Sequence, residues 1–250
     1  MTSGLRRRSR CHSGGVTSSC RDHGEPDDCV SRCGTDADHA QKKSLIAAEQ
    51  LRPDVVAERT AWDIKTHRVN PSRDVFLDEA NAKTTMTRLY GRAPRGQRVV
   101  DHVPDGRWSS TTMLAGIHWN GAGPCLTYSG GTAVPTMQAF VEQLLAPVLS
   151  PDHIVVMDNL NSHKHPEVVA AIAATGAQVW FLPRYSPDLN PIEKRWSKVQ
   201  TRLRQFAART TAALITAIGE ALDTVTPTDA PTDAQNWFKH CGYQEPHTDQ

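Results

Sequence analysis

Three carboxylates are marked out by what surrounds them. Asp158 closes the apolar run Ile154-Val155-Val156-Met157 and is followed by Asn159. Glu193 comes just after Asn190-Pro191-Ile192, at the start of a basic stretch. Asp78 ends a third run, Val75-Phe76-Leu77, and Glu79 follows it, so either residue can serve as the third acid. Carboxylate oxygens are hard donors that suit Mg²⁺ or Mn²⁺. Two such ions about 3.5–4 Å apart activate an attacking oxygen and stabilise the leaving oxygen of an in-line displacement. One carboxylate then bridges both ions while the others each hold one side. The pattern points to phosphodiester chemistry on nucleic acid. Glu193, in the first turn of its helix, is also favoured there by the helix dipole.

Phosphate needs positive charge nearby. From Lys194 to Gly219 there is no Asp or Glu, whereas Lys194, Arg195, Lys198, Arg202, Arg204 and Arg209 give six positives. By itself this is a solvated basic face opposite the Trp196 stripe. Beside Glu193 it reads as a surface for a DNA backbone. Ser162, His163 and Lys164 follow Asp158 within one loop and can position a phosphate or hydroxyl, although His163 also suits an ordinary surface position. Lys83, Arg88, Arg92, Arg95 and Arg98 form a second basic stretch, either a groove lining or a solvated loop. Trp180 and Trp196 occupy apolar periodic positions and read as core. Asp188 reads as a turn residue bonding its own backbone.

These residues need elements to hold them. Residues 44–66 read as helix with a break near Pro53, and 70–72 as a turn. Residues 73–78, 97–103 and 108–119 read as strands, with 120–123 a hairpin turn into 125–128. Residues 135–149 form an amphipathic helix. Residues 153–158 and 178–182 read as buried strands, separated by a helix over 166–175 that ends at Gly176. Pro191 opens a helix to about Arg209, with Ile192, Trp196, Val199, Leu203 and Phe206 as its apolar points. Thr210 or Thr211 caps a further helix through Leu222, and a short one runs near 234–241. Antiparallel strands followed by α/β alternation predict an α/β fold with a mixed sheet flanked by helices. Ligands sit at the carboxyl ends of strands in such sheets, which brings Asp78 and Asp158 together.

The chain has 250 residues, 38% hydrophobic and 22% charged, with a net charge of +1. Nucleic-acid binding must therefore rest on local clustering rather than the total. No run of about 18 apolar residues occurs, so no membrane-spanning helix is expected. Arg6-Arg7-Arg8 is not followed by the apolar region of a secretory signal. Residues 1–43 are polar and read as disordered. Their Cys11, Cys20, Cys29 and Cys33, with His12, His23 and His39, lack paired C-x2-C spacing, so free thiols are favoured over zinc. The expected layout is a leader over 1–43, a helical linker over 44–70, a catalytic domain over 71–225 and a tail over 226–250.

The combination of Phe76-Leu77-Asp78-Glu79, Met157-Asp158-Asn159, Ser162-His163-Lys164 and the run from Leu182 to Glu193 resembles a DDE-type transposase. More narrowly it is similar to the IS630 branch of the IS630/Tc1/mariner superfamily. The 34 residues between Asp158 and Glu193 match that branch's spacing. The resemblance spans roughly 42–243 and implies an RNase H-like fold. It implies Asp78, Asp158 and Glu193 as ligands of divalent ions, Mg²⁺ or Mn²⁺, two in number, with Asn159 and His163 near the active site. It also implies cleavage at transposon ends, joining of the freed 3′ hydroxyl to target DNA, a homodimer, and a cytoplasmic, nucleoid-associated location. Asn81 and Asn161 stand where the family often has Gly, and Arg184 where Pro is common. The family's N-terminal helix-turn-helix region has no counterpart in the polar leader. That departure leaves an alternative, a truncated remnant that only binds DNA or inhibits, and a further one, an RNase H-like nuclease that only hydrolyses.

Overall fold

The computed structural model describes residues 46–103, 108–225 and 231–244. The leader over 1–43, with its cysteines and the zinc question, lies outside the described residues. The sheet has five strands: β1 (Asp74–Lys83), β2 (Ser110–His118), β3 (Gly121–Ser129), β4 (Ile154–Met157) and β5 (Gln178–Phe181). Their order is β3-β2-β1-β4-β5. β1 pairs antiparallel with β2, and β2 with β3. β1–β4 and β4–β5 are parallel. The mixed α/β sheet expected from the element order is therefore present.

Among the described residues six α-helices flank it: α1 (Pro53–Thr66), α2 (Val134–Phe140), α3 (Pro166–Ala173), α4 (Ile192–Phe206), α5 (Thr211–Val225) and α6 (Pro231–His240). Alternation along each strand sends successive side chains to opposite faces. Val75, Leu77, Val155 and Met157 pack with Met137, Phe140, Val168 and Ile172 of α2 and α3. Phe76, Ala80, Ile154 and Val156 pack with Trp62 of α1, Trp196 of α4, Ile218 of α5 and Phe238 of α6. At β1, Asp78 shares the parity of Phe76 and so points to the α4 side. Glu79 points to the other.

Several expectations need correction. Residues 97–103 form no strand: they are exposed and have no sheet partner, despite Val99-Val100. Strand β1 runs five residues beyond Asp78, because β2 pairs with it as far as Lys83↔Ser110. Asp78 is thus mid-strand, not at a strand end. β5 is an edge strand and only half-buried. The helix over 135–149 is broken into α2, a π turn Val141–Leu145 and a 3-10 turn Ala146–Val148, which leaves Val148 exposed. The α4 helix stops at Phe206 because Ala207 takes a left-handed backbone at φ 49°. The hairpin turns at Trp119-Asn120, and Gly121 already belongs to β3. Neither Asn81 nor Asn161 has a positive φ.

Local chemistry explains the helices that carry the site. Pro191 precedes α4, where a missing N–H costs nothing. Ile192, Trp196, Val199 and Leu203 bury one stripe of it. Thr210 Oγ1 accepts from the Ala213 amide and caps α5. Gly176, at φ 86°, ends the turn after α3, and a Cβ there would meet Pro151 at 2.9 Å. A register irregularity between Ala115 and Ile117 bulges β2 at Gly116. Gly123 lies so close to that backbone that a Cβ would meet it at 3.1 Å.

Candidate active site

Parallel pairing of β1 with β4 sets Phe76 level with Val156. Carried two residues further, that register brings Asp78 level with Asp158. Glu193, in the first turn of α4, completes the set from above. All three line one cleft of about 450 Å³, together with Asn159, Tyr185 and Asn190. A second cleft of about 420 Å³ under α1 is lined by Leu51, Val56, Trp62 and Tyr243 with a single carboxylate, Asp63. It lacks the donors that the first one has.

Each acid is held differently. Asp78 Oδ1 accepts from the Glu79 amide at 2.7 Å, and Oδ2 from Asn190 Nδ2 at 2.9 Å. Burial, with the negative charges of Glu193, Asp158 and Glu79 outweighing that amide, pushes its pKa up to about 8. Asp158 Oδ1 accepts from the Leu160 amide and from His163. Burial raises its pKa, but His163, the Leu160 amide and Lys164 outweigh that and hold it low. Glu193 opens to solvent, yet the surrounding walls strip part of its water. That desolvation and the Asp158 charge raise its pKa against the pull of Lys194.

His163 is fully enclosed. Its Nδ1 lies 2.6 Å from Asp158 Oδ1 and its Nε2 3.0 Å from Glu79 Oε1. Both neighbours are carboxylates, so both ring nitrogens donate, which requires the imidazolium. Burial opposes that charge, but the two acids win and push its pKa up to about 9. Asp78 lines the cleft, while Glu79 bonds His163 behind it.

Among the described residues, no three His, Cys, Asp or Glu side chains converge on one point. The donor chemistry still fits a divalent cation. The set is all carboxylate oxygen, the acids repel one another, and among the described residues neither Asp78 nor Glu193 pairs with Lys or Arg.

The other sequence candidates separate into two groups. Lys164, Lys194 and Arg202 remain accessible, Lys164 lying over the Phe181 ring. Lys198 is accessible but pairs with Asp233 of α6 at 2.8 Å. Arg195 is turned inward and buried, donating to the Gly116 carbonyl at the β2 bulge. It therefore does not extend the basic surface. Ser162 and His163 are buried too and cannot face a backbone outside. Asn159 Nδ2 donates to the Leu182 carbonyl at 2.6 Å and clips the ends of β4 and β5 together. Asp188 is not a self-bonded turn residue in the main: it forms a 2.6 Å ion pair with Arg59. Arg184 adds no free charge, because Glu58 and Asp54 pair with it. Sequence reasoning missed Asn190, Glu79 as anchor, and Arg59. Asn190 lay inside the run it had singled out.

The chain matches the family model described as DDE superfamily endonuclease over residues 73–215. No curated protein matches it in sequence. Its structure is similar to that of a pre-cleavage Mos1 transpososome, with a TM-score of 0.62 and 15% identity over 86% of this chain and 66% of that one. It is also similar to Mos1 mariner paired end complexes with Mn and with Mg, at TM-scores of 0.62 and 0.61. Both are 16% identical, over 82% of this chain and 63% of theirs. The chain thus spans less than two thirds of the length of those chains. The likeness is one of fold, an RNase H-like mixed sheet flanked by helices.

Proposed function

The chain belongs to the DDE superfamily endonucleases, and on that premise we propose that it is the catalytic domain of a DDE-type transposase of the IS630 branch. It cuts DNA at transposon ends and joins the freed 3′ hydroxyl to target DNA. The observation that carries this reading is the single cleft that Asp78 from β1, Asp158 after β4 and Glu193 from α4 all line. Those three residues would hold divalent ions, Mg²⁺ or Mn²⁺ and two in number. Bound there, such ions would supply Lewis-acid activation of an oxygen nucleophile and of the leaving oxygen. Asn190 and the Glu79 amide fix the Asp78 carboxylate, and His163 fixes Asp158 so that only its Oδ2 is left for the cleft.

Lys164, Lys194, Lys198 and Arg202 suit contact with a phosphate backbone. Asn159, through the Leu182 carbonyl, and His163, through Asp158, act as positioning groups, while Ser162 and Arg195 are buried away from that surface. Residues 71–225 form the catalytic unit and 44–70 the linker that leads to it. A homodimer acting on DNA in the cytoplasm, at the nucleoid, completes the reading. Among the described residues no helix is long and apolar enough to cross a membrane.

The test is cleavage and strand transfer on labelled DNA carrying the element's ends, with Mn²⁺ or Mg²⁺, comparing the chain with Glu193→Gln. Joined product from the chain and none from the variant is the expected result. Equal activity in both would overturn the assignment. Silence from both favours the remnant that only binds DNA or inhibits, and hydrolysis without joining favours the simple nuclease.

A further inference from the structure

Residues 182–191 connect β5 to α4 and form one wall of the carboxylate cleft. This segment delivers Asn190 to Asp78 and then starts the helix that carries Glu193. Its own backbone bonds are few: Leu189 to Ser186 and Asn190 to Pro187. It also contains Tyr185 at φ 57°, a left-handed conformation that a non-glycine residue keeps only when its surroundings impose it. Something outside the segment must hold it.

That support comes from α1 and the turn before it. Gln50 Nε2 donates to the Tyr185 carbonyl at 2.6 Å and to Asp188 Oδ1 at 3.1 Å. Arg59 Nη1 donates to Ser186 Oγ at 2.7 Å and Asp188 Oδ1 at 3.0 Å, while Nη2 donates to Asp188 Oδ2 at 2.6 Å. This is a two-pronged guanidinium–carboxylate pair with an added hydroxyl, the strong form of such contacts. Ser186 is buried and the Arg59 side chain is only 26% exposed. Asp188 is itself 46% exposed, so the sheltered part of this clamp is Arg59 with Ser186; in the neighbouring pairs of Arg184 with Asp54 and Glu58 both sides are open, at 39–44% exposure. Open pairs of that kind contribute little.

We propose that Arg59 is a positioning residue for the carboxylate cleft: through Ser186 and Asp188 it fixes the segment that sets Asn190 against Asp78 and Glu193 above Asp158. It does not line the cleft itself. This inference rests on the phosphodiester-transfer reading for its catalytic consequence, but its structural consequence stands apart. Small displacements of a catalytic group are costly, about a hundredfold for about 1 Å. Arg59 therefore governs turnover from the far side of the loop.

The experiment compares the full chain with Arg59→Met, Arg59→Lys, the charge swap Arg59→Asp with Asp188→Arg, and Asp54→Asn. Amide hydrogen exchange is followed over 182–191 and over β1 and β4, alongside DNA cleavage. In Arg59→Met, exchange over 182–191 should rise about tenfold while β1 and β4 keep theirs. The kcat for cleavage should fall about a hundredfold with KM within about threefold. Arg59→Lys, which keeps the charge and loses the fork, should fall between. The swap should restore protection, and Asp54→Asn should change nothing. Unchanged exchange over 182–191 overturns the proposal. So does faster exchange spread evenly over β1, β4 and the segment, which would make Arg59 a general stabiliser. If Arg59→Met does not fold, Arg59→Lys and the swap decide the same question. Absence of cleavage in the parent chain would sink the functional reading, while the exchange data would still judge Arg59.

Discussion

On the α2–α3 side of the sheet, Val75, Leu77, Val155 and Met157 meet Phe140, Leu145, Val168 and Ile172, all apolar and all buried. On the α4 side, the same two strands send Phe76, Ile154 and Val156 against Trp62, Trp196 and Phe238. This second side also encloses Asn190 and Arg195, and Asp74 shares the parity of Phe76. Asp74 Oδ1, Asn190 Oδ1, Arg195 Nε and Trp196 Nε1 are buried without a hydrogen-bond partner. Burying such groups unpaired costs about 1–3 kcal/mol each. Apart from Glu79 and the His163 it anchors, one face is a plain apolar core, while the other carries the acids of the cleft and accepts polar groups that weaken packing. Stability and chemistry are thus divided between the two faces of one sheet.

Two substitutions test that division most sharply. Glu193→Gln on the site face should abolish cleavage and leave the melting temperature level or higher, since it removes a charge that repels Asp158. Phe140→Ala on the plain face should destabilise by about 3–5 kcal/mol, the cost of emptying an aromatic site. Its activity per folded molecule should be unchanged. Cleavage assays run beside urea unfolding read both. A large loss of turnover in folded Phe140→Ala would break the comparison.

The division was partly visible beforehand. Residues 154–157 are four consecutive apolar side chains, and such a run has few homes other than a buried parallel strand. Asp158 and Glu193 were marked by that run and by the Pro191 helix start. Asp78-Glu79-Ala80-Asn81 looks too polar to continue a strand, which is why the local pattern misplaces Asp78 at a strand end. Pairing with β2, which no local pattern encodes, carries β1 onward. Val99-Val100 failed in the opposite sense, having strand-like side chains without a partner. The charge of Arg195 suggests surface, although it lies three residues after Ile192 and four before Val199, on the buried stripe. That spacing was a usable signal. Arg59 had none, since its partners lie 127 and 129 residues away.

His163 sits where the two faces join, bonded to Glu79 and Asp158. Its folded pKa is pushed up to about 9 from an ordinary 6.5. The stability it contributes is therefore complete below about pH 6.5 and lost as pH rises through about 9. Asp158 is shifted the other way, so its share is lost as pH falls below its ordinary 3.8. His163→Gln should cost about 3 kcal/mol at pH 6, because it leaves buried acids uncompensated. The gap from the parent should close above about pH 9. Mn²⁺ affinity measured by calorimetry should drop about 10–100-fold, as for lost support behind a metal ligand. A pH-independent difference in stability would show that His163 packs without its charge.

The smallest effect asks whether the site face can be stabilised without touching its chemistry. Ala207 ends α4 with φ 49°, and its amide donates to the Leu203 carbonyl. A left-handed backbone costs an L-residue roughly 1–2 kcal/mol. Glycine escapes that cost but loses more freedom on folding, by about 0.4–1 kcal/mol. Ala207→Gly should therefore stabilise by about 0.5 kcal/mol. Glu193 lies at the opposite end of the same helix, with Trp196, Val199 and Leu203 packed between. Cleavage should not change. A gain in melting temperature with unaltered turnover would mean that the α4 side carries strain unconnected with its acids. A loss of turnover would mean that the whole length of α4, and not only its first turn, sets where Glu193 stands.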